Sequence, residues 1–399
     1  MPKEDGPRIG KETRDIETED DKVWLTVGTD AMPLLYSRSL ISAEILSRVS
    51  RKRSTSTVIP ATSYDLAKMR QILENKYSLG GVLVHGSEAE AREYSRKVEK
   101  NCPRHPRNQI ALNYEIDNPQ VAKYLSRSIF HDNLAKIVSK LSTGFVTRDY
   151  LTADGIKASK WIKDHWERIS SKRNDIIVMF FEHSPSTSPQ PSIIATIEGS
   201  VEKHSIVILG AHIDSINHWG QAPGADDNAS GVSILTELLR VIVETGYVPE
   251  KTIQLMGYAA EEYWRKGSID IASHYSSSGK KVVGMLNLDM SGNKGSTEDI
   301  YFVTDYTNPT QNKFLAELVK RYFPKLTVGN TTCGYACSDH FSWCTENVPS
   351  SFVFESTFNA RNIYIHTSGD TKVQVDHILK FAKLAAVYIA ELAKGSVDL

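Results

Sequence analysis

The chain has 399 residues, a formal net charge of −1, and 40% hydrophobic and 24% charged residues. That length can bury two sizeable cores. The balanced charge offers no basic excess for nucleic acid and no cationic amphipathic stretch for a membrane surface, and the longest apolar run, LAAVYIA, is far too short to span a bilayer.

Residues 1–20 are highly charged, carry Pro2 and Pro7, and predict a disordered tail. They lack the apolar centre of a signal peptide, so either the protein is cytosolic or its native start lies elsewhere. Order is expected from KVWLTVGTD, which alternates like a strand. A helix follows over Tyr64 to Lys76, then an apolar strand, GGVLVHG, and a charged helix, SEAEAREYSRKVEKN. Together these make a small α/β unit over residues 21–100. The Pro- and Arg-rich stretch after it predicts a linker and processing site over residues 101–112.

From residue 113 to 399 the texture changes. Helical patterns (VAKYLSRSIF, DNLAKIVSKLST, ADGIKASKWIKDHWERISS) lead into strand-like runs: DIIVMFFEH, SIIATIEG, SIVILGAH, TIQLMGYAA, VVGMLNLDM, DIYFVTD and SFVFES. The middle runs are almost continuously apolar, as in strands buried on both faces. Helical stretches alternate with them (ASGVSILTELLRVIVETG, NPTQNKFLAELVKRYF, VDHILKFAKLAAVYIAELA). The pattern predicts an α/β three-layer sandwich, a mixed but mostly parallel sheet between helices.

Five potential metal ligands sit where this chain leaves a strand or reverses. They are His212 in AHIDS, Asp227 in GADDNASG, Glu262 in YAAEEYW, Asp289 in LNLDMSG and His366 in IHTSGDT. His212 and Asp214 follow IVILGA, Glu261 and Glu262 follow IQLMGYAA, and Asp289 follows VVGMLNL. Ligands of open α/β sheets bind beyond such carboxyl ends. One acidic ending would be an ordinary helix cap, and one of Asp226, Asp227 and Asn228 is expected to cap the helix that follows. Three neighbouring endings ask for more. Two imidazoles and three carboxylates, without thiolate, suit a catalytic pair of zinc ions, and cobalt or manganese fit the same donors. Three carboxylates with a bridging hydroxide would balance the charge of two zinc ions in a partly buried site.

These motifs resemble the co-catalytic di-zinc aminopeptidases of metallopeptidase clan MH, most closely the secreted bacterial leucyl aminopeptidases. The resemblance runs through AHIDS, PGADDNASG, YAAEE, LNLDM, FVTDYT, TCGYACSDH, FESTFN and IHT, from about residue 110 to the end. DKVWLTVGTDA and GGVLVHGS resemble the propeptide of that group. The resemblance implies that Asp227 bridges two Zn2+, that Glu262 and His366 complete one site, and that His212 and Asp289 complete the other. It makes Glu261 the general base, Tyr335 an oxyanion stabiliser, and Asp214 the partner of the far nitrogen of His212. It lines a side-chain pocket with Met290, Phe352, Phe354 and Phe358, and pairs Cys333 with Cys337. The expected substrate is a peptide with a free, leucine-like N-terminus. The propeptide is expected to act as an intramolecular inhibitor of a secreted monomer, with a cytoplasmic location as the alternative.

The chain also departs from that pattern. Asn228 stands where near relatives have a third acidic residue, after a peptide that is often cis. TyrTrpArgLys precedes Gly267, and Arg361 replaces a frequent aromatic. The residues leave other readings open. Glutaminyl cyclisation uses the same general fold with one zinc, receptor-like relatives lose ligands or base, and a carboxypeptidase would need a cation such as Arg265 or Arg361 for the substrate carboxylate. No G-x-S-x-G elbow or H-E-x-x-H helix is present. Read from spacing alone, Cys333 and Cys337 are either core thiols or a short-loop disulfide, and Cys102 and Cys344 stand apart, their pairing undecided.

Overall fold

The computed structural model describes residues 22–28, 41, 56–62, 82–85, 87–102, 114–217 and 220–397. The expected tail, the helix at 64–76 and residues 103–112 of the expected linker lie outside the described residues.

The N-terminal part forms an antiparallel sheet of β1 (Lys22–Gly28), β2 (Ser56–Thr62) and β3 (Val82–His85) in the order β2-β1-β3. Strand β2 was not legible in the sequence. It holds Pro60, which lacks a ladder donor, and its place at the sheet edge accommodates that. Helix α1 (Glu88–Asn101) follows, its first turn capped by Ser87, whose Oγ accepts the Glu90 N–H at 3.2 Å. The first two residues of the expected linker are held in place. Asn101 closes α1, and Cys102 is fully buried and disulfide-bonded to Cys344.

The larger part is built on eight strands: β4 (Ile176–Phe181), β5 (Ser192–Ile197), β6 (Glu202–His212), β7 (Lys251–Tyr258), β8 (Lys281–Leu288), β9 (Ile300–Val303), β10 (Val328–Thr331) and β11 (Ser350–Phe354). Their order is β10-β9-β11-β8-β6-β7-β5-β4. The central neighbours β11, β8, β6 and β7 run parallel, while β5, β4 and the β9–β11 pairing are antiparallel. Mixed and mostly parallel is the sheet expected from the apolar runs.

Alternation along each strand feeds two cores. Val207, Leu209 and Ala211 of β6 face a large cluster with α2 (Pro119–Arg127), α3 (His131–Thr143), α4 (Ala153–Ser170), α5 (Gly231–Glu244), α7 (Pro309–Tyr322) and α9 (Val375–Leu392). Ile206 and Ile208 face a smaller one with Ile271, Ala272 and Tyr275 of α6 (Lys266–Ser277) and Trp343 of α8 (His340–Thr345). Burial on both faces explains why these strands read as unbroken apolar runs. Elements α6, α8 and β10 have no clear signal in the sequence. Helix α6 (KGSIDIASHYSS) is rich in serine, α8 has six residues, and β10 is a short edge strand exposed in part. No helix among the described residues is long and apolar enough to cross a membrane.

Gly231 sets the distance between α5 and the sheet. A Cβ there would lie 2.2 Å from the Leu288 carbonyl oxygen and 2.5 Å from Asn228 Oδ1. Gly231→Ala must therefore push the start of α5 off the end of β8. We expect it to cost about 1–3 kcal/mol of stability, measured by urea unfolding.

Candidate metal centre

Because β8, β6 and β7 are adjacent and parallel, their carboxyl ends share one rim. His212 is the last residue of β6, Glu261 and Glu262 follow β7, and Asp289 follows β8. Asp227 enters from the loop before α5, and His366 from the loop between β11 and α9. Asp227 ends up between the two imidazoles. Its Oδ1 is 3.0 Å from His212 Nε2, which is 3.3 Å from Asp289 Oδ1. Its Oδ2 is 3.1 Å from His366 Nε2, which is 2.9 Å from Glu262 Oε2. All five expected ligands thus converge, sorted into two sets about one shared carboxylate.

The supports are mostly backbone N–H groups. Asp214 lies beside His212 Nδ1, with its carbonyl at 3.2 Å and Oδ1 at 3.4 Å. The same carboxylate accepts the N–H groups of Glu261 and Glu262 at 3.0 and 3.1 Å, fixing the paired glutamates to the β6 loop. Asp370 does likewise for Asp226 and Asp227, at 3.1 and 3.0 Å. Ser338 donates to Asp289 Oδ2 at 2.6 Å and accepts from Asn287 at 2.8 Å. Ala260, Met290 and His366 have φ of 53°, 54° and 59°. Non-glycine residues there cost roughly 1–3 kcal/mol each, so these loops are held by their partners and not by local preference.

Asn228 follows a cis peptide bond and serves as the expected helix cap: its Oδ1 accepts the Gly231 N–H at 2.9 Å. Its Nδ2 also donates to the Leu288 carbonyl at 2.9 Å. An aspartate could accept the first bond but not donate the second, which accounts for the amide at this position.

Charge is the dominant feature of the site. Burial opposes the charged form of His212, but Asp289, Asp214 and Asp227 outweigh it and hold the imidazole pKa well above its ordinary value. His366 is raised in the same way by Glu262 and Asp227. Burial pushes Asp227 up, yet its hydrogen bonds with the two histidines hold it well below the usual carboxylate range. Burial and the nearby Asp227 push Glu262 up to about 7. Burial raises Glu261 strongly, His212 opposing and Asp339, Glu262 and Asp289 adding to the rise. Buried carboxylates crowded in this way need cations. The nitrogen and oxygen donors of His212, Asp227 and Glu262 lie within 4.8 Å of one another, and Glu262 Oε1 is buried without a hydrogen-bond partner, so the donor set fits a divalent ion.

The sequence profile of peptidase family M28 matches residues 192–389. A probable aminopeptidase of Saccharomyces cerevisiae is 35% identical over 300 residues, covering 71% of this chain and 78% of its own. Leucine aminopeptidase 1 of Sclerotinia sclerotiorum is 37% identical over 286 residues, covering 67% and 72%. The chain belongs to peptidase family M28. The LapA aminopeptidase of Legionella pneumophila matches with a TM-score of 0.78 at 25% identity, over 95% of this chain and 99% of that one. This M28 peptidase is thus a hydrolase of the metallo-aminopeptidase type, in a family whose aminopeptidases are zinc-dependent.

Through Met290 and Ile365, the sequence neighbours of Asp289 and His366, the rim of this M28 peptidase joins an apolar cluster. Met290, Tyr335, Phe352 and Phe354 are buried together with Tyr301, Val303 and the disulfide Cys333–Cys337, and Phe358 packs against them. Asp305 accepts the N–H groups of Cys333 and Gly334 at 3.1 and 2.7 Å, holding the loop that bears Tyr335. Arg361 sits 4.5 Å over the Phe358 ring and donates to the Phe358 carbonyl at 2.8 Å. Arg265 is 2% exposed, donates to the Ala336 carbonyl and stacks 5.1 Å over Phe341, so it does not offer a free cation for a substrate carboxylate.

Sequence reasoning missed Arg148, Asp370, Ser338, Asp305 and Asp339. Asp370 had a signal, since it falls four residues after His366. Arg148 had none. It is 1% exposed, and its guanidinium donates to the carbonyls of Ile213, Leu141, Pro223 and Gly224 at 2.5–3.1 Å, joining the His212 and Asp227 loops.

Arg148→Met would leave those carbonyls unpaired. We expect a loss of at least ~3 kcal/mol in urea unfolding, with weakened zinc retention on dialysis. A second expectation follows from the raised histidines and Glu262, whose stabilising protons are held fully below their ordinary pKa values and lost as pH rises. The metal-stripped protein should lose Tm as pH climbs through about 7 and beyond, and zinc should remove that slope in thermal unfolding curves.

Proposed function

We propose that the chain removes an apolar, leucine-like N-terminal residue from peptides with two bound zinc ions. Asp227 would be shared between them, His212 and Asp289 would hold one, and His366 and Glu262 the other. The reading is best supported by the two Asp227 oxygens, each about 3 Å from a different histidine that meets a second carboxylate. A site for one ion needs no such division.

When bound, zinc would supply Lewis acidity and lower the pKa of a water in the site. Glu261 would act as the general base, taking a proton from a water that attacks the scissile carbonyl and passing it to the departing amine. Asp214 aims this base, since it grips the Glu261 N–H. Tyr335 stabilises the developing oxyanion from a loop tied down by Asp305 and the Cys333–Cys337 bridge. Met290, Phe352, Phe354 and Phe358 receive the side chain of the first residue. Arg361 over Phe358 makes one end of that pocket cationic. The protein works as a monomer outside the cell, a location that its two disulfides favour. Residues 21–100 restrain the enzyme until the chain is cut after Cys102.

Glu261→Gln should keep both zinc ions by elemental analysis and lose about 10²–10⁴ in kcat. Near-normal turnover by that variant would overturn the base assignment. The zinc-loaded enzyme should cleave leucine anilide with a free amine and leave its N-acetyl form intact. Cleavage of neither would favour cyclase or carboxypeptidase chemistry.

A further inference from the structure

Helix α1 is seated on the M28 part by more than chain connectivity. Its C-terminal end carries Cys102, bonded to Cys344 in α8 across 242 residues of sequence, with Cα atoms 5.3 Å apart. Lys97 Nζ reaches Glu346 Oε1 at 2.5 Å, and Asn101 Nδ2 donates to the Thr345 carbonyl at 2.9 Å. Val98 and Cys102 are buried with Tyr306, Phe341 and Cys344, with Tyr94 and Ala336 packed alongside. The Tyr94 hydroxyl is buried near the guanidinium of Arg265. Arg265 in turn donates its backbone N–H to the Glu261 carbonyl at 2.8 Å and a side-chain N–H to the Ala336 carbonyl, next to Tyr335. The surface under α1 is therefore α8 and its neighbours, and through Arg265 and Ala336 it adjoins the loops of the paired glutamates and of Tyr335.

We infer that cutting the chain between Cys102 and Tyr114 does not release the N-terminal part: it yields a two-chain enzyme in which α1 stays docked on α8, held by the Cys102–Cys344 bridge. This rests on the processing proposed above and extends it. Any relief of restraint on cutting then comes from movement of a tethered partner, not from its departure. The physical reason is effective concentration. Among the described residues, contacts of this kind, an ion pair, a hydrogen bond and a small apolar cluster, make a modest interface between separate chains. A short covalent link keeps them at roughly millimolar local concentration, where weak docking persists. Both sulfurs lie in buried residues, Cys102 at 0% and Cys344 at 4% exposure, so a reductant reaches the bond only after local opening.

The test uses the full chain with a site-specific protease sequence inserted between Arg107 and Asn108, so it does not depend on where natural processing occurs. Retention is read by mass, which separates its failure from failure of the aminopeptidase reading. After cutting, denaturing electrophoresis without reductant should show one species of full mass, and with reductant two fragments. The Cys102→Ser, Cys344→Ser double variant, cut and gel-filtered at low micromolar concentration, should keep at most about one tenth of its N-terminal fragment. Separation of the unmutated cut chain without reductant would overturn the inference. So would undiminished retention by the double variant. If the double variant does not fold, the electrophoresis of the unmutated chain still decides.

Discussion

A single carboxylate, that of Asp227, faces two imidazoles at once, and the architecture around it serves to keep that arrangement buried. Each oxygen meets a different histidine at about 3 Å. Asp289 and Glu262 extend the pattern outward in opposite directions. Concentrating negative charge in a water-poor site is costly unless cations come with it. The raised His212 and His366 supply part of that charge as protons.

The supports follow the same electrostatic logic. Carboxylates outside the Asp227, Asp289 and Glu262 set bind backbone N–H groups. Asp214 fixes Glu261 and Glu262, Asp370 fixes Asp226 and Asp227, and Asp305 fixes the Tyr335 loop. Arg148 performs the complementary task, collecting carbonyls from the His212 and Asp227 loops. A loop gripped through its main chain can hold left-handed residues such as Ala260, Met290 and His366 in place. The precision of the site therefore depends on groups that need not touch a substrate.

The two disulfides have different tasks. Cys333–Cys337 closes a short loop around Tyr335, beside the proposed side-chain pocket. Cys102–Cys344 joins the N-terminal helix to the far end of the chain, under the same loops. The Tyr335 loop thus packs in one apolar cluster, while Ala336 beside it packs in the cluster of the N-terminal helix. This gives the N-terminal part a physical route to the glutamate loop through Arg265.

The layered fold and the set of residues that converge on one rim were legible in the amino-acid order. Strands buried on both faces must be apolar at every position, so β6, β7 and β8 stood out, and polar residues at their ends had to lie on a rim. The helix caps and the Asp227 loop were equally local. Only the tertiary structure decided which Asp227 oxygen meets which histidine, that Asn228 rather than an aspartate caps α5, and that Cys102 finds Cys344. It alone revealed Arg148 and the roles of Asp214 and Asp370 as main-chain clamps. It also supplied α6, α8 and β10, whose short or serine-rich sequences have little local preference and take their form from the surfaces they cover. The physical reason is common to these cases: a pairing between distant residues depends on the order of strands in the sheet, and periodicity along a chain does not encode that order.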